Sequence, residues 1–290
     1  MKPILICVHI FYPKLWGEIK SCLQNISAMT DEHYAPNDLR VTMVCDNENL
    51  RKEIIEFNPD AKIEIVENKG FDIAPFVSAL NKVDLDKYSY IIKLHTKRDM
   101  PINSMVYGYN FSGDKWRKYA LLPFGKKNFR KSIESFEKNK SLGMISNFRL
   151  IKRKETYDIK AAESAQSYLD KLGLPKNVFV CVIGTIFMAR ACLFKVIQKL
   201  DFNFDDFERS DKTEGSKAYI LERLFAMAVE AQGYKVEDIH TPIFIQYISD
   251  SCLGQIARKI FRFAYRKYIN RNGKLKIAIF RIPIYSKKAR

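Results

Sequence analysis

Polar and charged residues gather where strand-length apolar runs of this chain come to an end. Leu39–Cys45 is followed by Asp46-Asn47-Glu48, and Lys62–Val66 by Glu67-Asn68-Lys69-Gly70-Phe71-Asp72. Tyr88–Leu94 runs into His95-Thr96-Lys97-Arg98-Asp99, and Val178–Ile183 into Gly184-Thr185. A carboxylate at Asp46 can accept hydrogen bonds from a nucleobase or ribose, or it can cap the helix that follows. Gly70 permits a tight backbone turn, and Asp72, just ahead of an apolar helical run, is placed to cap that helix or to touch a ligand. Lys97 and Arg98, beside His95 and Thr96, offer the charge and donors that a diphosphate needs; the plain alternative is a solvated turn. Gly184 would let a ligand approach the backbone closely, or it marks a bulge. Further on, Glu222 stands among apolar neighbours in Tyr219–Met227. A carboxylate there is costly unless it is catalytic or paired with an arginine.

The elements that must position these groups alternate. Apolar runs at Pro3–Ile10, Leu39–Cys45, Lys62–Val66, Tyr88–His95, Leu142–Ser146 and Val178–Ala189 predict strands. Between them Leu15, Ile19, Cys22, Leu23 and Ile26 have helical spacing, as do Phe76, Val77 and Leu80, and the stretches 132–138, 161–172 and 218–231. Strand alternating with helix predicts an α/β fold, a mainly parallel sheet covered by helices. Ligands in such sheets bind beyond the carboxyl ends of the strands, where the polar residues above collect.

Composition narrows the possibilities. A chain of 290 residues, 47% hydrophobic and 28% charged, is large and apolar enough to bury a full core and excludes general disorder. No run of about eighteen apolar residues predicts a spanning helix, and the opening Met1–His9 is too short and too quickly polar for a signal peptide. Six scattered cysteines without a close pair suggest reduced core residues in a cytoplasmic protein. Residues 252–290 carry 12 Lys plus Arg and no acid, while the first 251 hold 37 basic and 33 acidic residues. The net charge of +16 is therefore mostly a basic tail on a nearly balanced body.

Asn68–Phe76, Lys93-Leu94-His95-Thr96-Lys97, Gly113-Asp114-Lys115-Trp116-Arg117, Gly184–Arg190 and Glu222-Arg223-Leu224-Phe225 occur in an order that resembles the rhamnan synthesis protein F family of bacterial polysaccharide glycosyltransferases. The resemblance covers roughly residues 1 to 240. More distantly, it is similar to inverting glycosyltransferases with the GT-A nucleotide-diphosphosugar fold. It implies transfer of a sugar, suspected to be rhamnose from dTDP-rhamnose, onto a glycan or lipid-linked acceptor of the cell envelope. On that reading Glu222 is the general base and Asp72 the alternative base. Lys97, helped by His95 or Arg98, would neutralise the departing diphosphate. Asp46 would orient the nucleoside, Asn68, Gly70, Thr96, Gly184 and Thr185 would line the donor pocket, and Trp116 and Arg117 would meet the acceptor. Glu222 stands eleven residues before Gly233-Tyr234, a spacing similar to that of the GT-A catalytic carboxylate. The chain departs from the GT-A pattern after the fourth strand, where His95-Thr96-Lys97 replaces an Asp-x-Asp metal motif. Asp84-Leu85-Asp86 precedes that strand instead, and the four histidines lack ligand spacing. Transfer without a metal or other cofactor is therefore expected.

In the tail, Leu253, Ile256, Ala257, Ile260, Phe261, Ala264 and Tyr268 recur at helical intervals, with Arg258, Lys259, Arg262, Arg266 and Lys267 mostly off that face. This predicts a basic amphipathic helix suited to an anionic membrane surface, or one packed on the body. The expected organisation is a transferase domain over 1–245 and a membrane-associating tail over 246–290, peripheral at the inner face of the cell membrane. Two other classes remain as alternatives: a noncatalytic glycan-assembly subunit with the same fold, and a nucleic-acid-binding protein using the tail. The second lacks a recognised nucleic-acid module, so no nucleic-acid partner is expected.

Overall fold

A computed structural model describes residues 2–33, 37–102, 104–106, 108–155, 158–209 and 215–250, and beyond them 254, 256, 260, 263–269, 274–280 and 282–288. Two compact units result, one of Met1–Lys97 with Ala120–His240 and one of Arg98–Tyr119 with Thr241–Arg290.

The first unit opens with β1 (Ile4–Ile10), α1 (Trp16–His33), β2 (Asp38–Met43), α2 (Glu48–Phe57), β3 (Lys62–Ile65), α3 (Ile73–Asn81) and β4 (Tyr90–His95). The chain then runs through β5 (Met105–Val106), β6 (Tyr109–Asn110) and α4 (Lys115–Leu121). It continues with α5 (Lys126–Lys138), β7 (Leu142–Ile145), β8 (Ile151–Lys152), α6 (Ile159–Lys171), β9 (Cys181–Val182), β10 (Phe187–Arg190), α7 (Lys195–Gln198), α8 (Lys217–Ala231) and β11 (Lys235–Glu237).

Seven strands make one sheet in the order β11-β7-β10-β4-β1-β2-β3. All neighbours are parallel except β10, which runs antiparallel to both β4 and β7. The mostly apolar composition of β1 and β4, broken only by His9, Lys93 and His95, fits this position, since inner strands of such sheets are covered on both faces; every residue of both is buried. Phe76, Phe187, Phe194 and Phe225 meet with ring centroids 5.4–6.2 Å apart, tying α3, β10 and α8 together. The α/β, mainly parallel reading of the sequence is the fold observed.

Two local expectations change. The apolar run 178–189 is not one strand: it breaks at Gly184 and Thr185, both at positive φ (76° and 48°), into β9 and β10. The tail is not helical throughout. Positions 254, 256, 260, 263 and 264 are helical, but β12 (Tyr265–Ile269), β13 (Lys274–Ile279) and β14 (Ile282–Lys288) form an antiparallel sheet in that order. Alternation through Leu275, Ile277 and Ile279, and the β-branched Ile282 and Ile284, favour the two-residue repeat over the helical one. Arg266 and Lys267 thus lie on β12 rather than on a helix, and Arg258, Lys259 and Arg262 fall outside the described residues. The second unit also holds α9 (Ile243–Asp250). Among the described residues no helix is long and apolar enough to cross a membrane.

Candidate active site

Because β10 is antiparallel to β4, its beginning lies against the end of β4, with Phe187 opposite Lys93. The turn Gly184-Thr185 is thereby delivered to the carboxyl edge of the sheet. There His95 Nε2 is 2.6 Å from the Gly184 carbonyl oxygen, and Thr96 Oγ1 accepts the backbone N–H groups of Phe11 and Tyr12 at 2.9 Å each. A threonine at positive φ is strained. Its hydroxyl is held on both sides, accepting from Lys93 Nζ at 2.7 Å and donating to Asp72 Oδ2 at 2.6 Å.

Lys93 opens one of the motifs, yet the sequence alone assigns it no role. Its ammonium pairs with Asp72 Oδ2 and lies 5.4 Å from the centroid of Phe76, and the side chain is 1% exposed. A single charge inside Ile91-Ile92-Lys93-Leu94 was the available signal, since a buried charge requires a partner. Asp72 is the N-cap residue of α3, but its side chain makes no capping bond and turns to Lys93 and Thr185 instead. Burial opposes its ionisation; the positive charge of His95 and Lys93, with hydrogen bonds from Lys93 and Thr185, reverses this and holds the carboxyl well below the usual carboxylate range. Burial lowers the Lys93 ammonium from its ordinary value, with Asp72 opposing. His95 is likewise lowered by burial, with Asp72 opposing. His9, aligned with His95 across β1 and β4, places Nδ1 2.9 Å from Thr42 Oγ1, and burial pushes it down to about 3.

Glu222 reaches the same turn from α8. Its Oε1 accepts the Gly184 backbone N–H at 2.6 Å, and its Oε2 lies 3.3 Å from Arg223 NH1. Arg223 has a nearer carboxylate in Glu155, Nε to Oε2 2.8 Å. Glu222 therefore takes part in an arginine pair, but as the longer of two contacts, and its side chain keeps 20% exposure. Burial raises its pKa, against the opposing effects of Arg223, the Gly184 amide and the Lys97 charge. Lys97 is thus near enough to act electrostatically on both Glu222 and His95. Helix α8 ends as its sequence implies, with Gly233 at φ 84° and its N–H donating to the Glu230 carbonyl.

Asp46 is exposed and pairs with Arg51 at 3.2 Å; the cap of α2 is Asn47, whose side chain accepts from Leu50 N. Asn68 is exposed. Gly70 is buried at φ 57°, its N–H donating to the Glu208 carbonyl, and an added Cβ would lie 2.7 Å from Ala74 Cβ and from the Phe207 ring. Gly70 therefore shapes the approach to Asp72 rather than opening space for a ligand. Trp116 is buried at 3% exposure, and Arg117 NH1 is bound to Asp99 at 2.5 Å. Arg98 is exposed. His9, Thr42 and Glu155 were not marked by the motifs, because each is recognised only by its partner across the fold.

The donor set at the end of β4 does not fit a divalent cation, which needs several free oxygens. His95, Thr96 and Lys97 contribute no carboxylate there. The oxygens of Asp72 and Glu222 are turned to Lys93, Thr185, Gly184 and Arg223. Asp84 caps a short turn of 3-10 helix over Leu85–Lys87 ahead of β4, accepting from the Asp86 N–H, and Asp86 within it is paired to Lys195 at 2.6 Å. No group of three His, Cys, Asp or Glu among the described residues is arranged to hold a metal ion.

A mainly parallel α/β sheet whose carboxyl edge gathers a cation, backbone amides and one part-exposed carboxyl defines the chain as an α/β protein with its candidate site at the strand ends. The family model of rhamnan synthesis protein F matches residues 1–234, and the chain belongs to that family. Protein WxcX of Xanthomonas campestris pv. campestris, in strains B100 and ATCC 33913, is 21% identical over 210 residues, 69% of this chain. The chain spans about 28% of the length of those curated relatives. Among solved structures it is similar to TarS 1–349 of S. aureus (TM-score 0.41, 9% identity, 88% of this chain and 68% of that one). It is also similar to the 4-diphosphocytidyl-2C-methyl-D-erythritol synthase of Anaerococcus prevotii DSM 20548 (0.38, 13%, 90% and 96%). A third is core-mannan synthase A of Aspergillus fumigatus in its Mn/GDP form (0.37, 9%, 81% and 72%).

Proposed function

We propose that this chain is a GT-A-like inverting glycosyltransferase of polysaccharide synthesis, with the Gly184-Thr185 turn and the end of β4 as its donor site and Glu222 as its general base. An acceptor hydroxyl attacks the anomeric carbon opposite the nucleotide, Glu222 takes its proton, and the bond to the diphosphate breaks with the electrons on the leaving oxygen. Lys97 then stabilises that oxygen as a fixed positive charge. No step is routed through a metal. The observation that carries this reading is Glu222 itself: a part-exposed carboxyl, raised by burial, hydrogen-bonded to the turn that His95 and Thr185 share. Asp72 is better suited to positioning than to proton transfer, because a carboxylate held so far below its usual range is a weak base and its Oδ2 is already bound to Lys93 and Thr185. Rhamnose carried on dTDP is the proposed donor, by family membership alone, and a lipid-linked glycan of the cell envelope the proposed acceptor.

A panel of nucleotide sugars, each with and without a divalent cation, tests the donor by thermal shift, since a ligand that binds only the folded state raises its melting temperature. Glu222→Gln should keep the stabilisation by that donor and lower transfer by about 10²–10⁴-fold. A folded Gln variant with a near-normal rate would remove Glu222 from the reaction. A second reading, a noncatalytic assembly subunit, is favoured by the protein partners that both Glu222 oxygens already have. It predicts donor binding with neither transfer nor hydrolysis in the parent protein.

A further inference from the structure

We infer that the second unit carries a docking surface for an anionic lipid bilayer. Helix α9 displays Ile243, Phe244, Tyr247 and Ile248 at 82, 64, 76 and 56% exposure. Phe280, just after β13, and Ile282, the first residue of β14, add to this at 62 and 67%. Of the 19 exposed large hydrophobics among the described residues, 14 fall between 243 and 285, so this is a concentration and not the scatter normal on a soluble surface. The same stretch of chain is strongly basic. Between residues 241 and 290 Asp250 is the sole acid against 12 Lys plus Arg, a net of +11.

The charge selects the occupant. A second copy of this chain would set +11 against +11 across the contact, which is repulsive. Nucleic acid would suit the cations, but it stacks on aromatic platforms, whereas most of the exposed apolar side chains here are isoleucine. Protein interface cores are depleted in lysine. A bilayer rich in anionic headgroups accommodates both properties at once, taking apolar side chains below the headgroups and cations at the level of the phosphates. The inference differs from a basic helix alone: the apolar contribution comes from α9, Phe280 and Ile282. It also stands apart from the transfer reading, because lipid binding can be measured whether or not the site is catalytic.

The full chain, sedimented with phosphatidylcholine vesicles and with vesicles that also contain phosphatidylglycerol, should bind the second set at least about tenfold more strongly, with the difference reduced at high salt. Phe244→Ser combined with Ile282→Ser should weaken binding to the anionic vesicles about tenfold, and Lys287→Gln with Lys288→Gln should weaken it independently. Unchanged melting temperatures show that the variants fold. No enrichment on anionic vesicles would overturn the inference. So would binding indifferent to the Phe244/Ile282 pair, which would mean a purely electrostatic attachment. Self-association in the parent that disappears in that pair would identify a second copy as the occupant and also overturn it.

Discussion

An ammonium group at 1% exposure costs several kcal/mol to desolvate, and Lys93 offsets this with Asp72, Thr185 and the ring of Phe76. The balance is fragile in one direction. Lys93→Met removes the cation and leaves the buried Asp72 carboxylate without its charged partner, so the fold should lose about 3–5 kcal/mol. Adding Asp72→Asn should return part of that loss, and a urea double-mutant cycle measures the coupling; additive losses would mean that the two side chains act separately. Glu222 has the opposite bias, its carboxyl raised by burial. A general base works only when deprotonated, so activity should fall as pH drops through this raised value. The acid limb of the pH–rate profile is therefore expected closer to neutrality than for an ordinary carboxylate, and Glu222→Gln should lose that limb with the rate.

At the level of elements, the site is built by two unusual turns on ordinary secondary structure. Gly70 has a left-handed φ and no room for a side chain against Ala74 and Phe207. Gly70→Ala should cost about 1–3 kcal/mol and displace Asp72 at the start of α3, measurable as a lower melting temperature with weakened donor stabilisation. The turn at Gly184-Thr185 does the same for β10. The strands β1, β2 and β4 and helix α8 were legible because apolar runs and helical spacing report burial directly. Asp72, His95 and Thr185 were legible as polar residues at strand or helix ends and Glu222 as a carboxylate within an apolar helix, and the fold brings them together. The antiparallel direction of β10 was not legible, because a two-residue repeat reads identically in both directions. Lys93 was hidden inside a strand whose other residues explained it. The tail failed for a related reason: Ile256, Ile260 and Ala264 satisfy a helical repeat up to the point where Tyr265–Ile269 takes up the strand repeat.

For the molecule as a whole, the buried imidazoles make acid the vulnerable side. His9 is pushed down to about 3 and His240 to about 4 by burial, against 6.5 for the unfolded ring. Between those values the unfolded chain binds these protons and the folded chain does not, so stability rises with pH across the window. It is complete above about 6.5 and is lost as pH falls toward 4, by several kcal/mol, with the larger share from His9. Asp72, depressed below the unfolded carboxylate value, extends the loss further into acid, because its contribution disappears only as it is finally protonated. Melting temperatures taken from pH 7.5 down to pH 4 should fall steadily, with little change above 7. His9→Asn with His240→Asn should flatten the upper part of that curve and leave the carboxylate part in place, and His95, also lowered by burial, keeps some slope in both proteins. A parent curve that stays level to pH 4 would mean that the rings accept their protons in the folded state, with His9 and Thr42 no longer the closed pair that anchors the ends of β1 and β2.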